Sequence, residues 1–307
     1  MLGVLSGFSV IWTVILGGYV LGRSQILGEH GSAILSRLVF YVGTPCLLLV
    51  TLSQTDLSHA FSGALVVSAA SGILAALLFI GCARFVFHRP LPESLTGAMS
   101  ASVVNAANLG IPIAVYVLGD AVYVAPVLIF QMVFFEPLYL ILLDTFSPGR
   151  SITKSGVGVT IAKNPVLIAS LLGILITSTG MFAPPLLMEP LKLVAGLAVP
   201  GALLAFGMSL SHSKPFQHRD RHREVGLAVT IKLLIHPCIA FGIGYFMLGV
   251  KGHALFAVVV AAALPTAQNV FIFASRYKRD VAVASEAIVA TTAIAVLTLV
   301  IVAALFA

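Results

Sequence analysis

Charge is missing from this sequence over long, regularly spaced stretches. No Asp, Glu, Lys or Arg falls between Met1 and Gly22, Leu38 and Thr55, Leu57 and Ala83, Ser94 and Gly119, Asn164 and Met188, or Gly252 and Ser275. About 20 apolar residues in a helix cross a hydrocarbon core of about 30 Å. Within that core only structures that pair their own backbone groups persist, which favours helices over open strands. With 59% hydrophobic and 9% charged residues among 307, a water-soluble chain could not clothe its surface. The expected fold class is therefore an all-α membrane protein. Charged and turn-rich breaks divide it into ten transmembrane helices, near residues 4–22, 32–53, 61–83, 93–118, 121–145, 162–180, 187–210, 226–248, 253–275 and 281–306. The first run lacks the charged lead and small-residue cleavage site of a signal peptide and reads as a retained span.

The basic residues orient these spans, because Lys and Arg concentrate on the cytoplasmic side. Thirteen of seventeen fall in odd-numbered loops: Arg23, Arg84, Arg89, Arg150, Lys154, Lys163, Lys214, Arg219, Arg221, Arg223, Arg276, Lys278 and Arg279. Only Lys192 and Lys251 occupy even-numbered loops. Both termini are accordingly expected outside the cell membrane, with the lipid bilayer as the chain's principal surroundings. The net charge of +6 is thus a topology signal, and no nucleic-acid partner is expected. Cys46, Cys82 and Cys238 lie inside apolar runs at spacings with no metal pattern.

The two halves resemble each other. "RLVFYVGTPCLLLVTLS" from Arg37 and "KLVAGLAVPGALLAFGMS" from Lys192 each place a basic residue eight positions before a proline, Pro45 and Pro200. Pro112 in span 4 and Pro265 in span 9 repeat at nearly the same offset. Five spans is an odd number, so the second unit is expected to be inverted in the membrane. The expected organisation is a first five-helix repeat over 1–148, a cytoplasmic linker over 149–161 and a second repeat over 162–307.

Spans 4 and 9 carry the densest polar interruptions. Asn105, Asn108, Gly110 and Pro112 fall in one, and Pro265, Thr266, Gln268 and Asn269 in the other. A proline removes a backbone donor and its ring clashes with the carbonyl four residues back. A lone proline often merely kinks a span, and a lone amide often bonds a neighbouring helix. The matched pair with clustered amides instead points to two helices broken at mid-membrane, where half-helix N-termini and neutral amide donors suit an anion.

At this point five ordered stretches resemble the auxin efflux carrier family, which includes plant auxin carriers and bacterial permeases for malonate and malate. They are "NAANLGIPIA" (105–114), "KNPVLIASLLGIL" (163–175), "LAVPGALLAFGMSL" (197–210), "IKLLIHPCIA" (231–240) and "ALPTAQNVFIFASRY" (263–277). The resemblance implies ten helices in two inverted repeats, with helices 1, 2, 6 and 7 as a scaffold and helices 3–5 and 8–10 as a transport domain. It further implies that helices 4 and 9 cross at Pro112 and Pro265, and that a substrate carboxylate is engaged beside Asn108, Gly110, Ile111, Thr266, Gln268 and Asn269. A homodimer is implied as well. The chain lacks the long central loop of the plant carriers, which favours a short bacterial-type permease.

Glu136, in "QMVFFEPLYL", is the acid deepest within a span. It reads as a carrier of a coupling proton, as a partner of Lys232 or Arg37, or as a cap on the turn at Pro137. His236 is the second coupling candidate. Lys232 and Arg37 are expected to snorkel to the cytoplasmic interface, Glu286 to lie at that interface, and "SHSKPFQHRDRHRE" (211–224) to be a cytoplasmic loop. No triad, acidic metal site or nucleotide-binding loop appears, so neither an enzyme nor a metal or cofactor is expected, beyond a coupling proton or sodium ion. The expected function is secondary transport of a small organic anion, a mono- or dicarboxylate such as malonate or malate or an auxin-like acid, by alternating access. The alternatives are a sodium-coupled symporter of the bile-acid type and a cation/proton antiporter with crossed helices, the latter lacking carboxylates next to Pro112 and Pro265.

Overall fold

A computed structural model describes residues 2–54, 62–146, 165–180, 184–211 and 221–306. The predicted linker at 149–161 and most of the His-rich loop after Ser211 lie outside the described residues. Among the described residues the secondary structure is helical, with one isolated pair of extended residues and no strand. In chain order the helices are α1 (Leu2–Ser24), α2 (Gly31–Gln54), α3 (Gly63–Phe85), α4 (Leu91–Ser102), α5 (Ala106–Leu118), α6 (Ala121–Leu143), α7 (Pro165–Thr179), α8 (Leu186–Ser211), α9 (His222–Met247), α10 (Gly252–Ala263), α11 (Asn269–Tyr277) and α12 (Val281–Phe306).

Among the described residues six of these, α2, α3, α6, α8, α9 and α12, are long and apolar enough to cross a membrane, and α5, α7 and α10 are shorter apolar helices. Many large side chains face outward, among them Leu16, Val20, Leu77, Leu171 and Leu297. An apolar exterior of that extent is stable against lipid and not against water. The protein is a membrane protein.

Four prolines expected to disturb helices instead share one local solution. Pro45, Pro112, Pro137 and Pro237 each stand two residues beyond a five-residue π-helical turn, at Val39–Gly43, Ala106–Gly110, Gln131–Phe135 and Ile231–Ile235. The carbonyl that each proline ring would strike belongs to the middle residue of that wide turn: Tyr41, Asn108, Val133 or Leu233. Widening the turn moves the carbonyl away, and the helix continues. This corrects the expectation at Pro112, which lies inside α5 and does not split it; the helical path is interrupted earlier, at Val103–Asn105.

The chain forms two compact units. Unit 1 comprises Met1–Ser62, Ala106–Ile129 and Thr160–Ser213, and unit 2 comprises Gly63–Asn105, Phe130–Val159 and Lys214–Ala307. In unit 1, α1 packs along the Ala198–Ser211 part of α8, and the Thr44–Gln54 part of α2 packs on α7. Close approach is possible because small residues face the contact. A Cβ on Gly18 would lie 2.9 Å from the Leu204 Cα, and one on Gly207 would collide with the Ile15 carbonyl oxygen. Ser32 Oγ donates to the Ala205 carbonyl at 2.8 Å and Thr177 Oγ1 to the Leu52 carbonyl at 2.6 Å, stitching the same packing.

In unit 2, the two helices that lead into the interruptions are buried on every side: Ser94–Ser102 of α4 and Leu255–Ala263 of α10. Both are built mainly from small and aliphatic residues, and the hydroxyls of Ser94, Thr96, Ser100 and Ser102 in α4 donate to backbone carbonyls, so neither helix needs an exposed face. Around α4 pack α6, α9, α11 and α12. At one end of unit 2, Glu224, nearly fully buried, is held by Arg89 Nε at 2.7 Å and Arg221 Nη1 at 3.4 Å, while Arg221 Nε lies 3.4 Å from Asp280 Oδ1. The last contact sets the starts of α9 and α12 side by side.

Candidate functional site

Where α4 and α10 stop, the chain turns extended in the interior of unit 2, and a short backbone pairing replaces part of the lost helix bonds. Val104 and Thr266 pair in antiparallel fashion. Asn105 N–H donates to the Pro265 carbonyl at 2.8 Å, and Ala267 N–H donates to the Val103 carbonyl at 3.2 Å. Backbone groups that this pairing leaves over are met by side chains from surrounding helices. Gln131 uses both ends of its amide on Val104: Oε1 accepts from the backbone N–H at 2.6 Å and Nε2 donates to the carbonyl at 3.0 Å. Thr291 Oγ1 accepts from Thr266 N–H at 3.1 Å and itself donates to the Ala287 carbonyl at 2.6 Å. Thr266 Oγ1 donates to the Ser100 carbonyl at 2.6 Å, and Lys232 Nζ to the Ala262 carbonyl at 3.2 Å. In apolar surroundings an unpaired backbone group costs about 1–3 kcal/mol, which is why polar side chains collect at this depth.

Lys232 was expected to reach the interface and does not. Its side chain is fully buried, bonded to His236 Nδ1 at 2.9 Å as well as to Ala262. Lys232 follows His222 by ten residues, about 15 Å along a helix whose start lies beside that of α12. The carbonyls at the end of α10 carry the negative end of that helix dipole, and a Lys there caps them. His236 Nε2 meets Ser71 Oγ at 3.2 Å. Glu286 is buried near the start of α12, and Arg37 is exposed.

The sequence-predicted residues divide between the units. Asn105, Pro265, Thr266, Gln268, Asn269, Glu136 and His236 belong to unit 2, and Asn108, Gly110, Ile111 and Pro112 to unit 1. Within unit 2, Asn105, Pro265 and Thr266 form the pairing itself, and Asn269, first residue of α11, donates through Nδ2 to Glu136 Oε1. Glu136 is thus met by an amide, and Lys232, read as one of its partners, bonds His236 and Ala262 instead. His236 joins Lys232 and Ser71 instead of the amides. Gln131, Thr291 and Lys232 are the members of this region that sequence reasoning missed. Gln131 and Lys232 are each a lone polar residue with apolar neighbours and Thr291 is half of a Thr-Thr pair inside an apolar run, and that is the signal by which they could have been found. Among the described residues no group of three His, Cys, Asp or Glu side chains is placed to hold a metal ion.

The model of the family described as "Membrane transport protein" matches this chain over residues 8–155 and 149–303. The chain belongs to that family, the auxin efflux carriers. Across 298 residues, 94% of each chain, it is 26% identical to an "Uncharacterized transporter" of Methanothermobacter thermautotrophicus. It is 25% identical over 276 residues, 87% of this chain and 86% of the other, to the "Uncharacterized transporter YfdV" of Escherichia coli K12. A "Putative malonate transporter" of Rhizobium meliloti is 25% identical over 299 residues, 92% of this chain and 89% of its own. Membership of this family of carriers makes the protein a membrane transporter.

Proposed function

We propose that this auxin efflux carrier family member is a secondary transporter moving a small organic anion, a mono- or dicarboxylate, across the cell membrane by alternating access. Its substrate site in this reading is the paired interruption of unit 2. The observation that carries it is that α11 begins in the protein interior directly after the extended pairing, with Gln268 and Asn269 at its head. The first N–H groups of such a helix have no intrahelical acceptor, and its positive dipole end favours a carboxylate. Amides add donors without the cost of a buried cation. Malonate is the first compound to try, because the Rhizobium meliloti relative carries its name.

In the same reading the chain crosses the membrane ten times with both termini outside, as two inverted five-span repeats. Span 4 is α4 with α5, span 9 is α10 with α11, and the two cross at the paired residues 103–105 and 265–267. A scaffold of spans 1, 2, 6 and 7 and a transport domain from spans 3–5 and 8–10 draw support from the grouping of α1, α2, α7 and α8 in one unit and of α3, α4 and α9–α12 in the other, while α5 and the first part of α6 group with the former.

The test is uptake of labelled short carboxylates into liposomes holding the purified protein, under imposed proton or sodium gradients. Gln268→Ala is expected to lower uptake at least several-fold at unchanged expression. Unaltered uptake in this variant would sink the proposed site. Strict dependence on sodium would favour the bile-acid type of symport.

A further inference from the structure

The head of α11 carries a second feature, which rests on the transport reading above. Asn269 gives its Nδ2 to Glu136, while its Oδ1 is buried and has no hydrogen-bond partner. Glu136 makes no ion pair among the described residues and is held there by that one amide. Both facts are anomalous: buried acceptors are nearly always paired, and a carboxylate at membrane depth is normally met by a cation or several donors. The titratable groups on the neighbouring elements do not supply one. Tyr139, one turn further along α6, is engaged with Ser102 Oγ at 3.0 Å. Glu93, in the first turn of α4, belongs to the ion cluster with Arg89 and Arg221. Tyr277 closes the far end of α11.

We infer that Glu136 and Asn269 form a one-proton switch that ties anion binding to protonation. An ionised Glu136 can only accept, so it draws the amide nitrogen of Asn269 and turns the amide oxygen the other way. An oxygen presented at the head of α11 repels a carboxylate. When a proton binds to Glu136, its O–H becomes a donor and needs an acceptor. A half-turn of the Asn269 amide supplies Oδ1 to that O–H and brings the NH2 group to the place Oδ1 held, where it donates to an anion entering at the head of α11. The proton therefore satisfies two groups at once, removes a negative charge beside the substrate and creates a donor for it. By linkage, a bound anion raises the affinity for the proton by the same factor that the proton raises the affinity for the anion. One proton taken up with the anion on one side of the membrane is given back with it on the other. No bond other than that to the proton is made or broken.

The decisive variant is Glu136→Gln, which binds no proton and whose amide NH2 can donate to Asn269 Oδ1 as the protonated carboxyl does. Liposomes are loaded with the wild-type protein or the variant, the membrane potential is clamped at zero, and labelled malonate is followed. Wild type is expected to accumulate malonate about tenfold per unit of pH gradient, the value for one coupled proton. Glu136→Gln is expected to exchange malonate for malonate at a rate that does not change with pH, and to show no accumulation from a pH gradient. In weakly buffered detergent, wild type should take up about one proton per malonate bound, and the variant none; this second measurement applies even where reconstitution of the variant fails. Accumulation by Glu136→Gln equal to wild type, or binding by wild type without proton uptake, overturns the switch. In the first case the buried Lys232–His236 pair becomes the place to look for the proton. If wild type exchanges neither malonate nor any other short carboxylate, the transport reading itself fails and the switch falls with it.

Discussion

Replacing Gln131 with Met tests whether the interruption between α4 and α10 is dry. Methionine matches the length of glutamine and removes both hydrogen bonds to Val104, at 2.6 Å and 3.0 Å, with little change of volume. Gln131 is 4% exposed and Val104 2% exposed, so water has no evident route to the orphaned N–H and C=O. At about 1–3 kcal/mol for each buried backbone group left unpaired, the loss is about 4 kcal/mol. For a chain of this size about 1 kcal/mol moves the melting temperature by roughly 2–4 °C, so Gln131→Met should melt roughly 10 °C lower. Size-exclusion thermal melting in detergent measures this, with Thr291→Val as an internal scale. That isosteric change strips one backbone group, Thr266 N–H, of its acceptor and should cost about half as much. A fall of under about 2 °C for Gln131→Met would mean that water already reaches Val104, and the dry, side-chain-sealed pairing would be wrong.

Two further outcomes concern packing and pH. Gly207→Leu places a side chain against the Ile15 carbonyl and should separate α1 from α8, destabilising unit 1 by at least about 1–3 kcal/mol; a native elution profile and melting temperature would contradict the close contact. Asp280, in the turn between α11 and α12, has its carboxyl pushed above the usual range, first by burial and then by Glu93 and Glu224, against the pull of Arg221 and Arg89. A raised carboxyl is a stabilising contribution present below its unfolded pKa and lost as pH rises through the folded value. Asp280→Asn should therefore raise the melting temperature at pH 7.5 relative to wild type, with the difference shrinking towards pH 4. A constant difference across that range would show that the charge is not the cause.

The contrast between Pro112 and Pro265 shows where sequence reasoning stops. Both are prolines in polar clusters within apolar runs, and each alone would kink or break a helix. Around Pro112 a π-helical turn absorbs the ring and α5 continues, whereas at Pro265 the chain goes extended. What differs is the set of distant side chains available to receive the freed backbone groups. Lys232 meets the Ala262 carbonyl before Pro265 and Thr291 meets the Thr266 N–H after it, and although each interrupts an apolar run, no local pattern says which backbone group it will meet. Lys232 illustrates the same limit, since its place in the sequence allows either snorkelling or burial, and only the position of Ala262 decides.

The sequence by itself determined that this is a helical membrane protein, approximately where its helices lie, that its polar interruptions matter, and which family it resembles. Those properties follow from hydropathy, charge and residue identity, which act locally along the chain. The tertiary structure decided that Val104 and Thr266 meet, that Asn269 reaches Glu136, and that Lys232 is sealed inside unit 2. Each of these joins residues far apart in sequence, and each is fixed by the requirement that a backbone or side-chain polar group removed from water find a partner wherever the packing of helices brings one.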